Sequence, residues 1–176
     1  FGLEPLVLKP GIKTGLQIRY RDPREVGADR IADAVGAISL FPDRNLIVAD
    51  FGTATTFDVV DEDGNYRGGV ICPGINLSLD ALYMAAAQLP RVDIRATTSI
   101  IGKATVPAMQ SGIFWGYIGM IEGLVERIRG EFGAKMTVVA TGGLAPLFAE
   151  ATNVIDHVYP DMTLRGLVEV YKRNRR

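Results

Sequence analysis

Asp50-Phe51-Gly52-Thr53-Ala54-Thr55-Thr56-Phe57-Asp58 follows an apolar run, Leu46-Ile47-Val48-Ala49, so a carboxylate, a glycine and three threonines stand at the end of a buried strand. An aspartate there can hold a hard cation through oxygen. Gly52 permits close backbone approach, and Thr53 offers both N–H and O–H to a phosphate oxygen. The stretch therefore suits phosphate and metal held together. Read without function, it is a tight hairpin whose threonines serve β-propensity.

Three further groups carry chemistry. In Gly27-Ala28-Asp29-Arg30 a glycine opens a helix, and the free N–H groups and dipole of the first turn favour a carboxylate. Asp29 can then act as a general base toward a hydroxyl, and Arg30 can pair with an anion. The plain alternative is capping with an adjacent charge pair. Thr141-Gly142-Gly143 joins a strand to a helix, where a base or ribose can lie on bare backbone. It has neither the Gly-x-Gly-x-x-Gly spacing nor the Walker lysine. Gly102-Lys103-Ala104-Thr105 precedes a long helix, with Thr105 as the expected N-cap.

The elements that must position these groups follow from periodicity. Leu46–Ala49, Thr53–Val60 and Tyr66–Cys72 read as strands, the last two joined by a turn at Gly64. A helix is expected from Ile75 to Leu89, with Leu79, Leu82, Tyr83 and Ala86 on one stripe, and a long one from Thr105 to Arg129. Then come a strand (Met136–Ala140), a short helix (Leu144–Ala151), a strand (Val154–Val158) and a helix (Met162–Lys172). This order predicts an α/β, ribonuclease-H-like (actin-like ATPase) domain over 45–176, with a mixed five-stranded sheet and flanking helices. Residues 1–44 offer a strand at Leu6–Leu8 and a helix at Ala28–Leu40 with no sheet of its own. They read as the end of a preceding domain of the same fold, and a chain opening on Phe1 reads as a fragment.

In the long helix Gly112, Gly116, Gly119 and Gly123 share one narrow face, with Phe114, Ile118, Ile121, Val125 and Ile128 opposite. Each glycine costs about 1 kcal/mol against alanine in a helix interior. Close approach of another backbone is the expected compensation, with a subunit interface as one source. The bulk properties exclude several classes. With 19 basic and 20 acidic side chains the net charge is -1, giving no general pull toward nucleic acid or membrane. One cysteine, Cys72, forms no internal disulfide and suits a cytoplasmic setting. The one histidine, His157, lacks a nearby Cys or His partner for zinc.

Taken together, Tyr20 through Arg30, Asp50 through Thr56, Gly68-Gly69-Val70-Ile71-Cys72-Pro73-Gly74, Thr105 through Gly112 and Thr141-Gly142-Gly143 resemble type III pantothenate kinases of the acetate and sugar kinase/Hsc70/actin superfamily. The resemblance implies ATP-dependent phosphorylation of pantothenate to 4'-phosphopantothenate, the first step toward coenzyme A. It implies Asp29 as the general base and Tyr20, Gly27, Ala28, Asp29, Arg30 and Thr105 as the pantothenate contacts. Asp50 matches the ligand of a monovalent cation (K+ or NH4+), Thr53 an ATP phosphate contact, and Gly142 the position nearest adenosine. ATP, the monovalent ion and Mg2+ are the expected cofactors, and a homodimer the expected assembly. The family's Asp-x-Gly-Asn-Thr phosphate loop does not occur in this sequence, so the fragment by itself is expected to lack most activity. Two other readings are a sugar or acetate kinase of the same superfamily and a non-catalytic accessory or regulatory protein that kept the fold.

Overall fold

The computed structural model of the chain describes residues 5–85 and 89–175. At its centre is one mixed sheet. Its strands are β1 (Gln17–Ile18), β2 (Leu46–Phe51), β3 (Ala54–Val60), β4 (Asn65–Pro73), β5 (Thr137–Thr141) and β6 (His157–Val158), in spatial order β1-β4-β3-β2-β5-β6. β2, β3 and β4 form an antiparallel meander, while β5 pairs parallel with β2 and β6 with β5. The five expected strands are thus present. A sixth, Gln17–Ile18, adds parallel to β4 at the edge.

Alternation along β2 assigns the two faces, because successive strand side chains point to opposite sides. Ile47, Ala49 and Phe51 enter one core with Phe57 and Val59. The long helix α3 (Thr105–Phe132) covers that face with Phe114, Tyr117, Ile118, Ile121 and Val125. Phe148 of α4 (Ala145–Ala149) packs among Phe51, Phe114 and Tyr117. Leu46 and Val48 enter the other core with Val60, Tyr66 and Val139, beneath α1 (Ala28–Leu40) and α5 (Met162–Asn174). Asp50, Thr56 and Asp58 share this second face by the same alternation.

The structure departs from the sequence expectations at several places. The helix at Ala28–Leu40 does have a sheet to cover: Ala34 and Ala37 are fully buried against it. Residues 6–8 form no strand. Leu6 and Val7 are exposed, and the edge position beside β4 belongs to Gln17–Ile18. Thr105 is the first residue of α3 and not its cap. Ala104, in extended conformation, takes that place without a side-chain bond. α3 runs three residues beyond Arg129 and stops at Gly133, whose φ of 74° ends the helix. The last strand contracts to two residues, because Asp156 spends its carboxylate on the Val138 N–H just before the ladder forms. α2 spans Ile75–Ala85, and Ala86 of the expected stripe lies outside the described residues.

α1 and α5 cross with almost no side chain between them. A Cβ on Gly166 would overlap the Ala32 carbonyl, and one on Gly36 would overlap that of Met162. Such contact excludes even a methyl group. Gly166→Ala should therefore lower unfolding stability by about 2 kcal/mol despite its better helix propensity, read as a shifted urea midpoint. An unchanged or higher midpoint would contradict this packing.

Candidate active site

The turn after β2 is shaped by backbone. The Gly52 N–H donates to the Ala54 carbonyl at 3.1 Å, and the Gly74 N–H donates to the Thr53 carbonyl at 3.0 Å. A Cβ at Gly74 would overlap that carbonyl and come within 2.6 Å of the Gly52 oxygen. Pro73-Gly74 therefore does more than end β4, since it props the turn that leaves Thr53 exposed. Across the sheet, Asp50 lies opposite Thr56 on one side and Thr141 on the other. Gly142 follows Thr141 with φ of 90°, and a Cβ there would stand 2.6 Å from the Phe51 carbonyl and 2.7 Å from Asp50 Oδ1. Two requirements, a left-handed backbone and an absent side chain, thus fix glycine beside the Asp50 carboxylate.

Asp50 has no hydrogen-bonding protein partner among the described residues. Burial, and then the charges of Asp29 and Asp58, push its carboxyl above the usual range. A cation there would relieve both effects, and carboxylate oxygen suits a hard ion. Among the described residues no group of three or more His, Cys, Asp or Glu side chains is arranged to hold a metal. An ion at Asp50 would therefore complete its shell from backbone carbonyls, hydroxyls and water.

The second wall is the N-terminus of α1. Gly27 is its N-cap and Ala28 its first residue, both beside Asp29, which is exposed in the first turn. Asp29 Oδ1 accepts the Arg30 N–H at 2.9 Å, and a Cβ on Gly27 would come 2.5 Å from that oxygen. Arg30 differs from its expected state as a free anion clamp. It is 8% exposed, and its Nε and Nη2 donate to Asp58 Oδ1 at 2.9 and 2.6 Å. The Tyr66 hydroxyl donates to the same oxygen at 2.6 Å, and Thr56 donates to Oδ2 at 3.3 Å. Burial raises the Asp58 carboxyl, against the downward pull of these donors. Tyr20 lies 6.3 Å from Tyr66, ring to ring, beside Gly68.

Asp50, Thr53 and Gly142 therefore gather where β2 and β5 end, with Asp29 near enough for its charge to act on Asp50, while Arg30 and Tyr20 lie beside Asp58 and Tyr66. Thr105 is not among them, because it opens α3, which packs on the first face. Sequence reasoning left Asp58, Tyr66 and Asp33 without roles. For Asp58 the signal was present, since a carboxylate between Phe57 and Val59 must find a donor when buried. Asp33 follows Asp29 by one helical turn, is 2% exposed, and accepts the Thr163 hydroxyl of α5 at 2.6 Å.

The family profile described as Type III pantothenate kinase matches residues 1–127. Curated proteins of that description are 64% identical over 175 residues in Paramagnetospirillum magneticum and 59% over 176 in Rhodospirillum rubrum. Each alignment covers 99% of this chain, with 67% and 68% of the respective relatives. The chain spans about two thirds of the length of these relatives. Among solved structures, a protein from Campylobacter jejuni described as a conserved Baf family transcriptional activator superposes with TM-score 0.62 at 19% identity, covering 90% of this chain and 68% of the other. One from Sinorhizobium meliloti described as a 2-dehydro-3-deoxygalactonokinase gives 0.57 at 15%, covering 87% and 62%. These two likenesses concern the fold alone.

Burial pushes the Asp33 carboxyl up to about 7 against the pull of the Thr163 hydrogen bond, and the charges of Asp50, Asp58 and Asp29 add to the rise. The folded chain thus holds a proton that the unfolded chain releases near 3.8. The associated stability is complete below that value and is lost as pH rises through about 7. Asp33→Asn keeps an acceptor for Thr163 and removes the titration. Its urea midpoint should exceed the parent's above neutral pH and change less between pH 4 and 8. Parallel pH profiles for the two proteins would refute the assignment.

Proposed function

The chain belongs to the type III pantothenate kinase family, and from that membership we propose ATP-dependent phosphorylation of pantothenate to 4'-phosphopantothenate as the activity of the whole protein. The observation that carries this reading is the juxtaposition of two walls. The Asp50–Thr53 turn, with Gly142 against it, meets an α1 N-terminus that exposes Asp29. In this reading Asp29 takes the proton of the primary hydroxyl while its oxygen bonds the γ-phosphorus. The bond to the bridging oxygen breaks, and ADP leaves. Tyr20, Gly27, Ala28 and Arg30 hold the acid, Thr53 contacts an ATP phosphate, and Gly142 lies nearest the adenosine.

Asp50 is the proposed ligand of a monovalent cation, K+ or NH4+, with Mg2+ accompanying the nucleotide. Positive charge there would offset the phosphates, whose transfer depends mainly on positioning and charge stabilisation. An Asp-x-Gly-Asn-Thr phosphate loop is not among the 176 residues. We assign it to the third of the relatives' length that this chain does not span, and expect little activity from the present span by itself. The cytoplasm, where ATP is plentiful, is the proposed setting. No helix of the described residues is long and apolar enough to cross a membrane.

A homodimer is proposed along α3. Cβ positions on Gly112, Gly116 and Gly119 would meet nothing within 4 Å, so this face is bare in one chain. Three glycines without a compensating contact are costly in a helix, and a second copy supplies the close approach that sequence periodicity anticipates. Thr105 begins the same helix, on the sheet face away from Asp29. A second copy is the arrangement that would bring it to a substrate.

Two measurements on the full-length protein test these statements. Asp29→Asn should reduce turnover of pantothenate by about 10²–10⁴-fold while calorimetric binding of pantothenate and ATP persists. Turnover at the parental rate would remove Asp29 as the base. Gly116→Leu should shift the sedimenting species toward the monomer mass, whereas an unchanged dimer would place the contact elsewhere.

A further inference from the structure

We propose that Asp58 is the positioning residue of Arg30: it locks the guanidinium so that one edge stays aimed at the substrate's carboxylate, and thereby sets a preference for an anionic over an uncharged substrate. This rests on the pantothenate kinase reading and assigns a role to a buried charge which that reading leaves unused.

Asp58 sits in the middle of β3, 1% exposed, with Phe57 and Val59 as neighbours. An unpaired carboxylate in such a place would be strongly destabilising. Four hydrogen bonds answer its two oxygens: three on Oδ1, from Arg30 Nε, Arg30 Nη2 and the Tyr66 hydroxyl, and one on Oδ2, from Thr56. The guanidinium is also held by its face, with its central carbon 5.8 Å from the centre of the Tyr66 ring. Edge and face contacts together leave a planar group little freedom.

The space for this arrangement is cut into the neighbouring strand. Gly69 of β4 is the register partner of Asp58. A Cβ on Gly69 would lie 2.9 Å from Asp58 Oδ1 and 3.0 Å from Arg30 Nη2, besides overlapping the Phe57 carbonyl. Only glycine lets the pair close.

One part of Arg30 is left over. Nη1 has no hydrogen-bond partner among the described residues, and no fully buried side-chain nitrogen or oxygen there goes unpaired, so Nη1 lies in the 9% of the side chain that reaches solvent. Nη1 is thus the part of the guanidinium left open to a ligand, on a group whose plane the clamp fixes. A guanidinium fixed in advance binds a carboxylate with less ordering cost than a mobile one.

A pair that merely ties α1 to β3 would predict equal losses for every substrate, and a positioning role predicts unequal ones. The experiment uses the full-length protein and compares kcat/KM for pantothenate with that for its uncharged primary amide, in the parent, Asp58→Asn and Tyr66→Phe. For Asp58→Asn we expect kcat/KM toward pantothenate to fall about tenfold or more, chiefly through KM, with less than about a twofold change toward the amide. Tyr66→Phe, a gentler change that keeps the assay informative if the first variant does not fold, should move the same ratio about threefold. Equal losses on both substrates, or none, would overturn the proposal, as would a parent enzyme indifferent to the carboxylate. A parent inactive toward pantothenate but binding it would refute the kinase reading first and this proposal with it.

Discussion

The contact between Arg30 and Asp58 spans two elements that are distant in sequence, the first helix and the second long strand, and it does so inside the core. Its components are charged, so it is directional in a way that the surrounding apolar packing is not. Hydrophobic burial would tolerate a modest slide of α1 along the sheet, but a guanidinium bonded through two nitrogens to one oxygen does not. The guanidinium takes its direction from that constraint. Bare backbone contacts between α1 and α5 hold the far side of the same helix.

The sheet separates labour between its faces. One is almost wholly apolar, and the long helix with its aromatic cluster closes it. The other carries Asp50, Thr56 and Asp58 beside a smaller apolar cluster of Leu46, Val48 and Val60, so buried charge and apolar packing share that face. Period-two alternation does this without any special device. Glycines finish the work at Gly74, Gly69 and Gly142, where a side chain would displace a carbonyl or a carboxylate.

Much of this was legible in the chain. The apolar run before Asp50, the hairpin glycine and the helix starting after Gly27 gave strand and helix positions within a few residues, because local periodicity and turn chemistry agree there. The motif residues Asp29, Asp50 and Gly142 do gather on one edge. What local pattern cannot convey is pairing at long range. The edge strand at Gln17–Ile18 exists only because β4 offers it a partner, whereas the more apolar Leu6–Leu8 has none. The state of Arg30 was hidden for a similar reason, since its partner lies 28 residues away. Asp33 looked like one polar residue on a helix, and only the approach of α5 buries it.

The negative charge gathered at this edge has a further consequence. The charges of Asp29 and Asp58 raise the cost of ionising Asp50, and those of Asp50, Asp58 and Asp29 raise that of Asp33. Bringing a polyphosphate into such surroundings is unfavourable unless counter-charge arrives with it. If the cation proposed at Asp50 enters with the anion, the two uptakes are aspects of one equilibrium, and by linkage each strengthens the other by the same factor. In the proposed kinase the ionic composition of the medium would thereby become a determinant of nucleotide affinity, through a crowd of like charges that no single residue owns.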